Sequence, residues 1–242
     1  MSPELSIILP VYNEVESLPI LWDEVRETIE TLGRTTEVLF VDDGSSDGST
    51  EFMRDLAKRD PRVRLLRFEA NAGLSAAFYA GFQAARGDVV ATMDADLQTN
   101  PRDLVTLYPR LANADAVVGW RSIRHDTWLK RISSKIANAV RDRVTRDRVR
   151  DSACSLRLMR RHCLAAIPPF AGMHRFVVTL LHIAGYTVVE VPVTHRKRRY
   201  GTSKYGVRNR IVTASVDMLA VRWMMSRRLR YRVAEDTGGD EA

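Results

Sequence analysis

Asp94 and Asp96 stand one residue apart at the end of the apolar run VVATMDAD, with Gln98 two positions further on. In an extended segment, side chains at i and i+2 point to the same face. Two carboxylates held together repel each other, and each favours a cation or a shared proton. Two charges and an amide oxygen make a hard donor set suited to Mg²⁺ or Mn²⁺. Such ions bind through one or two carboxylates and take their remaining ligands from water and substrate phosphates. A metal site built from Asp94, Asp96 and Gln98 is therefore completed by a diphosphate. The competing reading is a solvated turn in which Asp94 caps the next helix. A bare Asp-x-Asp favours that reading; the strand in front of it and the acids at neighbouring strand ends favour the metal.

Two other stretches carry chemistry. In FVDDGSSDGS, Ser45, Ser46 and Asp47 suit a local Asx-type turn. Asp42 and Asp43 exceed what the turn needs, so one of them is expected to face a cleft and bond a base or a ribose. The run HRKRRYGTSK, residues 195–204, has phosphate-binding chemistry: Arg forks match phosphate oxygens and Lys adds a point charge. Taken alone it fits a nucleic-acid patch equally well, but the preceding EVPV fixes it to a sheet. His174, His182 and His195 lack metal-ligand spacing and are expected in core or surface roles. Cys154 is expected as a buried thiol, and the two cysteines form neither a disulfide framework nor a zinc site. No P-loop or Gly-x-Gly-x-x-Gly pattern is present.

These residues need elements to position them. LSIILPV, TEVLFVD, VRLLRF (63–68), DVVATMDAD and DAVVGWR each predict a strand. Helices are expected over 15–32, 50–59, the small-residue stretch ended by Gly87, and about 101–112. Asp47 or Ser49 is the expected cap of the second helix. Strands alternating with helices imply βαβ units and a mostly parallel sheet, whose ligands gather beyond the carboxyl ends of the strands. Glu14, Asp42, Asp43, Asn71, Asp94, Asp96 and Arg121 all fall just past such ends, which points to a single polar site. Further on, Trp128, Ile132, Ile136, Val140 and Val144 recur every four residues in a basic helix over 127–146. A short strand precedes the basic loop, and a last helix is expected over 207–232. The tail from about 234 reads as disordered and acidic.

Charge divides the chain. Residues 1–120 hold 11 Lys and Arg against 20 Asp and Glu, whereas residues 121–232 hold 26 against 6. A half that basic favours polyanions or an anionic membrane surface. The N-terminus shows no signal-peptide pattern, and no run of apolar residues is long enough to predict a membrane-crossing helix. A reducing, cytoplasmic setting is the plain expectation.

Eight motifs occur in order: PVYNE, VDDGSSDGS, NAGLSAAFYAGF, MDADLQTNP, GWR, RISSKIAN, VRDSACSLRLMRR and EVPVTHRKRRYGTSK. Over roughly residues 3–206 they resemble the family 2 inverting glycosyltransferases, in particular the dolichol-phosphate mannose synthase and polyprenyl-phosphate glycosyltransferase branch. The resemblance implies a GT-A fold over 1–206 and a nucleotide-diphosphate sugar donor, GDP- or UDP-linked. It places Pro10, Tyr12 and Glu14 at the nucleotide, and Val41 and Asp43 beside the base and ribose. Asp94, Ala95 and Asp96 would lie against the diphosphate, with Asp96 and Gln98 carrying the metal. Arg121 would reach the phosphates, Arg131 the acceptor phosphate, and Arg198 and Lys204 would clamp both. The chain departs where CSLR, residues 154–157, replaces the usual SGFR, and no stretch of it predicts the two C-terminal membrane helices that many relatives carry.

The implied acceptor is a polyprenyl phosphate. A phosphate monoester, with a second pKa of about 6, is already ionised and needs no general base. A hydroxyl acceptor would need one, and Asp151 is the candidate for that alternative. A third reading, a non-catalytic nucleic-acid-binding protein, leaves the acidic strand ends unexplained. With a lipid acceptor, the basic second half and the segment 207–233 would hold the enzyme at the inner face of a membrane, with or without a separate membrane-protein partner.

Overall fold

The run LSIILPV has its odd and even positions equally apolar, the pattern of a strand covered on both faces. In the computed structural model it forms β1 (Leu5–Val11), buried throughout. Residues 2–121, 149–152, 154–197 and 207–227 are described, with the backbone alone for 207–214. The helix expected over 127–146, Arg131, Arg198, Lys204 and the tail beyond 227 lie outside the described residues.

β1 is flanked by β2 (Thr36–Asp42) and β4 (Val89–Thr92), and β3 (Val63–Arg67) pairs with β2, all in parallel. β5 (Ala116–Arg121) and β7 (Val188–Val193) are parallel partners. Between the two groups runs β6 (Arg157–Arg160), antiparallel to both β4 and β5. The seven strands lie in the order β3-β2-β1-β4-β6-β5-β7. The mostly parallel sheet is the expected one. β6 was not anticipated, because its sequence RLMR carries an Arg at each end and shows no apolar run.

Helices cover both faces. α1 (Leu18–Leu32) buries Leu18, Leu21, Trp22, Val25 and Ile29 against Leu5, Ile7, Leu9 and Phe40, and leaves Leu32, the sixth position its apolar spacing predicts, half-buried. α2 (Ser49–Arg59) packs Met53 on the same side. The opposite face carries α3 (Leu74–Ala84) and α5 (Val177–Ala184). There Phe78, Phe82 and Leu181 meet Ile8, Leu39, Val41 and Val90. Successive residues of β1 and β2 thus feed alternate cores, as the two-residue period of a strand requires.

Three local expectations change. β4 ends at Thr92, so Asp94 and Asp96 lie on a bent segment beyond the strand and not within it. The helix expected over 101–112 is a short α4 (Asp103–Leu107) continued by a 3-10 segment, Tyr108–Asn113, whose second residue is Pro109. Ser49 belongs to α2 itself, with Gly48 as its cap, and Asp47 accepts the Ser49 N–H from outside the helix.

α6 (Val207–Ser226) lies on the α3 and α5 side. Val221 is buried and Met218, Met224 and Met225 pack against that core, while Val216, Leu219 and Trp223 are exposed. Among the described residues no helix is long and apolar enough to cross a membrane.

Candidate functional site

β4 stops pairing with β1 at Ile8↔Thr92, and Met93 makes one last bond to the Ile8 carbonyl. The chain then bends. Leu97, buried, takes a left-handed φ of 63°, and the Gln98 N–H donates to Asp96 Oδ1 at 3.1 Å. A β-carbon-bearing residue with φ in that region is costly and is retained where the surroundings impose it. The turn sets Asp94, Asp96 and Gln98 at the mouth of the sheet. Burial, and after it the Asp96 charge, push the Asp94 carboxyl up to about 6. Two carboxylates in this condition, with an amide oxygen beside them, fit a hard divalent cation. Among the described residues no cluster of three or more His, Cys, Asp or Glu forms a denser site. Asp94 and Gln98, with Arg121, Ser155 and His195, line a cavity of about 30 Å³. That space holds one water or one ion.

Arg121 closes β5 and turns onto Asp151. Its Nε and Nη2 donate to the two carboxylate oxygens at 2.6 and 2.9 Å, and its backbone N–H adds a third bond at 3.2 Å. Asp151 is therefore committed to orienting Arg121, which lies in the field of Asp94. Arg157, on β6, is the residue sequence reasoning missed. It is buried beside Asp94, and its Nη2 donates to the carbonyls of Ser152 and His174. Its Nε is buried and has no hydrogen-bond partner among the described residues. Burial holds its guanidinium below the usual value, as expected for a cation withdrawn from water. The signal in the sequence was the last letter of CSLR, and only the pairing of β6 with β4 brings it within the field of Asp94.

The opposite end of the crevice is built from the ends of β1 and β2. Asp42 staples its own turn: Oδ1 accepts the Ser45 N–H at 2.9 Å, and Thr50 Oγ1 bonds Oδ2. Asp43 is the second acid, and it reaches across to the loop before α3. Its carboxylate accepts the N–H groups of Ala72 and Gly73 and the Asn71 amide, at 2.7 to 3.1 Å. Burial raises its carboxyl above the ordinary value in spite of these bonds, and Asp42 adds to the rise. Tyr12 and Glu14 follow β1 and are half-buried, with Glu14 accepting the Ser17 hydroxyl at 3.2 Å. Pro10 and Val41 are ladder partners, and Val41 is fully buried in the α3-side core. Ala95 is likewise buried.

Gly44 joins these two ends. Its φ is 75°, and a Cβ there would stand 2.7 Å from the Ala70 carbonyl carbon and 2.8 Å from the Asn71 nitrogen. Gly44→Ala is expected to lower stability by roughly 2–4 kcal/mol, through a strained φ and a backbone clash. Urea unfolding checks the loss.

The structure thus brings Asp94, Asp96, Gln98 and Arg121 to one end of the crevice and Tyr12, Glu14 and Asp43 to the other. His195, expected in a core or surface role, lines the cavity with Asp94, held there by an isolated bridge to Thr99. Cys154 is the expected buried thiol, and burial pushes it up to about 11.

Comparison with known proteins agrees with this geometry. The family described as Glycosyl transferase family 2 matches residues 6–167. An undecaprenyl-phosphate 4-deoxy-4-formamido-L-arabinose transferase from Aeromonas hydrophila is 37% identical over 209 residues, covering 84% of this chain and 63% of its own length. A dodecaprenyl-phosphate galacturonate synthase from Rhizobium johnstonii is 33% identical over 235 residues, 95% of this chain and 69% of that protein. The chain therefore spans less than two thirds of the length of the first of these relatives. Among solved structures, a mannosyltransferase from Pyrobaculum calidifontis in complex with GDP-Man and Mn²⁺ aligns with a TM-score of 0.65 at 20% identity. That alignment covers 96% of this chain and 66% of the other. Glucosyl-3-phosphoglycerate synthase from Mycobacterium tuberculosis, in complex with Mn²⁺, UDP and glucosyl-3-phosphoglycerate, aligns with a TM-score of 0.65 at 18% identity over 92% and 80% of the two chains. These structural likenesses speak to the fold, which is GT-A. Fold, strand-end acids and matched sequence lead to one assignment: the chain belongs to glycosyl transferase family 2.

Proposed function

We propose that this protein transfers a sugar from a nucleotide-diphosphate sugar to a polyprenyl phosphate, with inversion at the anomeric carbon. One observation carries the choice of acceptor: Asp151, the only carboxylate available as a base by motif position, is bound through both oxygens to Arg121. A hydroxyl nucleophile needs a base, whereas a phosphate monoester arrives ionised. Asp43 and Tyr12 bind the nucleotide end of the donor, and Arg121 and Arg157 place positive charge beside Asp94 where the diphosphate departs. Asp94, Asp96 and Gln98 hold Mg²⁺ or Mn²⁺, which when bound offsets the charge developing on the leaving diphosphate. Arg131, Arg198 and Lys204 are proposed to bring the acceptor phosphate in against repulsion. The exposed Val216, Leu219 and Trp223 on α6, with the basic second half of the chain, favour residence on the inner face of a membrane.

The test measures nucleoside diphosphate release from a panel of UDP- and GDP-sugars, with and without farnesyl phosphate and divalent metal. Release from one donor that requires both the lipid phosphate and the metal is expected. Turnover with sugar or peptide hydroxyls and no response to lipid phosphate would transfer the role of base to Asp151.

A further inference from the structure

Gln98 is held by its backbone on both sides. Its N–H donates to Asp96 Oδ1 at 3.1 Å, and its carbonyl accepts the Arg196 N–H at 2.9 Å. Just before it, buried Leu97 keeps its left-handed φ, a conformation that persists only where the surroundings impose it. Arg196 belongs to the segment that leaves β7, and that segment lies along the same turn. The Thr194 N–H donates to Asp103 Oδ2 at 2.8 Å, and His195 bridges Thr99.

The Arg196 side chain reaches away from the turn to α1. Its Nη1 donates to both carboxylate oxygens of Glu24, at 2.7 and 2.8 Å, across 172 residues of sequence. The two side chains are 30% and 27% exposed, so the pair is better shielded than Arg102–Glu27, one turn along the same helix, at 63% and 56%. One residue thus joins the turn to a helix that is itself bedded in the core: its main chain holds the Gln98 carbonyl, and its side chain holds α1. Arg196 opens the basic run together with His195, yet its charge is taken up by Glu24, which makes it a poor ligand for a phosphate.

We propose that Glu24 and Arg196 are positioning residues for the metal site: the pair fixes Arg196 against Gln98 and so holds the Gln98 amide where, with Asp94 and Asp96, it completes a divalent-cation site. The inference rests on the metal-bearing site proposed above and adds to it two residues that touch neither metal nor substrate. An ion pair of this exposure contributes little to overall stability. A donor that spends part of its time out of place nevertheless lowers the apparent metal affinity in proportion to that time. Long-range charge predicts something else. Removing an acid weakens the binding of a cation and removing a base strengthens it, whereas a positioning role makes both removals weaken it.

The experiment titrates Mn²⁺ into the full chain with saturating UDP, and again with GDP, and reads free Mn²⁺ by electron paramagnetic resonance. Glu24→Gln and Arg196→Gln are each expected to raise the Mn²⁺ Kd about fivefold, and Arg196→Lys to recover part of the loss. Glu27→Gln, which removes an equal charge from the exposed pair, stays within about twofold of wild type. Melting temperatures stay within about 2 °C of wild type. Gln98→Ala raises the Kd by itself, and in that background neither Glu24→Gln nor Arg196→Gln adds to the loss. Opposite shifts in Glu24→Gln and Arg196→Gln, additivity with Gln98→Ala, or a lowered melting temperature with Mn²⁺ affinity unchanged each overturn the inference alone. A wild-type chain that binds no Mn²⁺ with either nucleotide, or an affinity indifferent to Gln98→Ala, defeats the metal site itself, and the inference with it.

Discussion

Asp96→Ala is expected to reduce turnover by about three orders of magnitude, the scale seen when one charge-stabilising group is removed from a reacting centre. Asp96 is 8% exposed and accepts the Gln98 N–H in the turn that carries Gln98, so on the proposed function it acts twice, as a metal donor and as a turn acceptor. The two roles separate experimentally. Loss of the metal donor weakens the binding of nucleoside diphosphate in the presence of Mg²⁺ or Mn²⁺ and leaves binding in chelator unchanged. Loss of the turn bond costs about 1 kcal/mol of stability, visible in urea unfolding but too small to account for the activity. Asp96→Asn keeps an acceptor for the turn and removes the charge, and it should match Asp96→Ala in turnover while melting near wild type. Activity above a tenth of wild type in either variant would remove Asp96 from the metal site.

Asp151→Ala tests the acceptor from another direction. Its carboxylate is 6% exposed and that of its partner Arg121 19%, so truncation leaves a guanidinium mostly withdrawn from water with two of its bonds gone. Breaking a buried pair by removing one partner costs about 3–5 kcal/mol, and the partial exposure of Arg121 brings this to about 2–3. For a chain of this size the melting temperature should fall by roughly 5–10 °C. If Asp151 only orients Arg121, kcat/KM drops with no change in the shape of the pH–rate profile. If it were the base, the rise in rate with pH set by its ionisation would vanish, and a strong external nucleophile such as azide would restore turnover. The first pattern is expected.

Much of the site was legible because its parts follow strands. Apolar runs ending in acids gave the positions of Asp43, Asp94 and Asp96, and the periodicity of α1 gave most of its buried face, taking in the half-buried Leu32 and missing the buried Thr28. Arg157 was not legible in this way. Its strand is four residues long, bounded by arginines, and becomes a strand only because β4 and β5 supply both partners. A short central strand of this kind owes its conformation to its neighbours and not to its own propensity. Val41 depends on its context too. Motif order sets it next to Asp42 and Asp43, and the two-residue alternation of β2 turns its side chain into the core. His195 was passed over because metal-ligand spacing along the chain was the criterion. Its approach to Asp94 comes from the bridge between Thr99 and His195, nearly a hundred residues apart in sequence.

The insertion of β6 between β4 and β5 has a kinetic consequence. β1 to β4 pair with one another within the first 92 residues, so that part of the sheet has its partners early in synthesis. Thr92 then waits for Arg157, and its hydroxyl for the Ser155 carbonyl, which it reaches at 2.6 Å. Closing so long a loop is entropically slow, and contacts of this separation form late. The half of the crevice built from β1 and β2, proposed for the nucleotide, can exist on a ribosome-bound chain before the half proposed for the diphosphate. Asp94 receives Ser155 and Arg157 only when the β4–β6 ladder zips. On the proposed function, a nascent or truncated chain would therefore carry the first half without the positive charge near Asp94 that transfer needs.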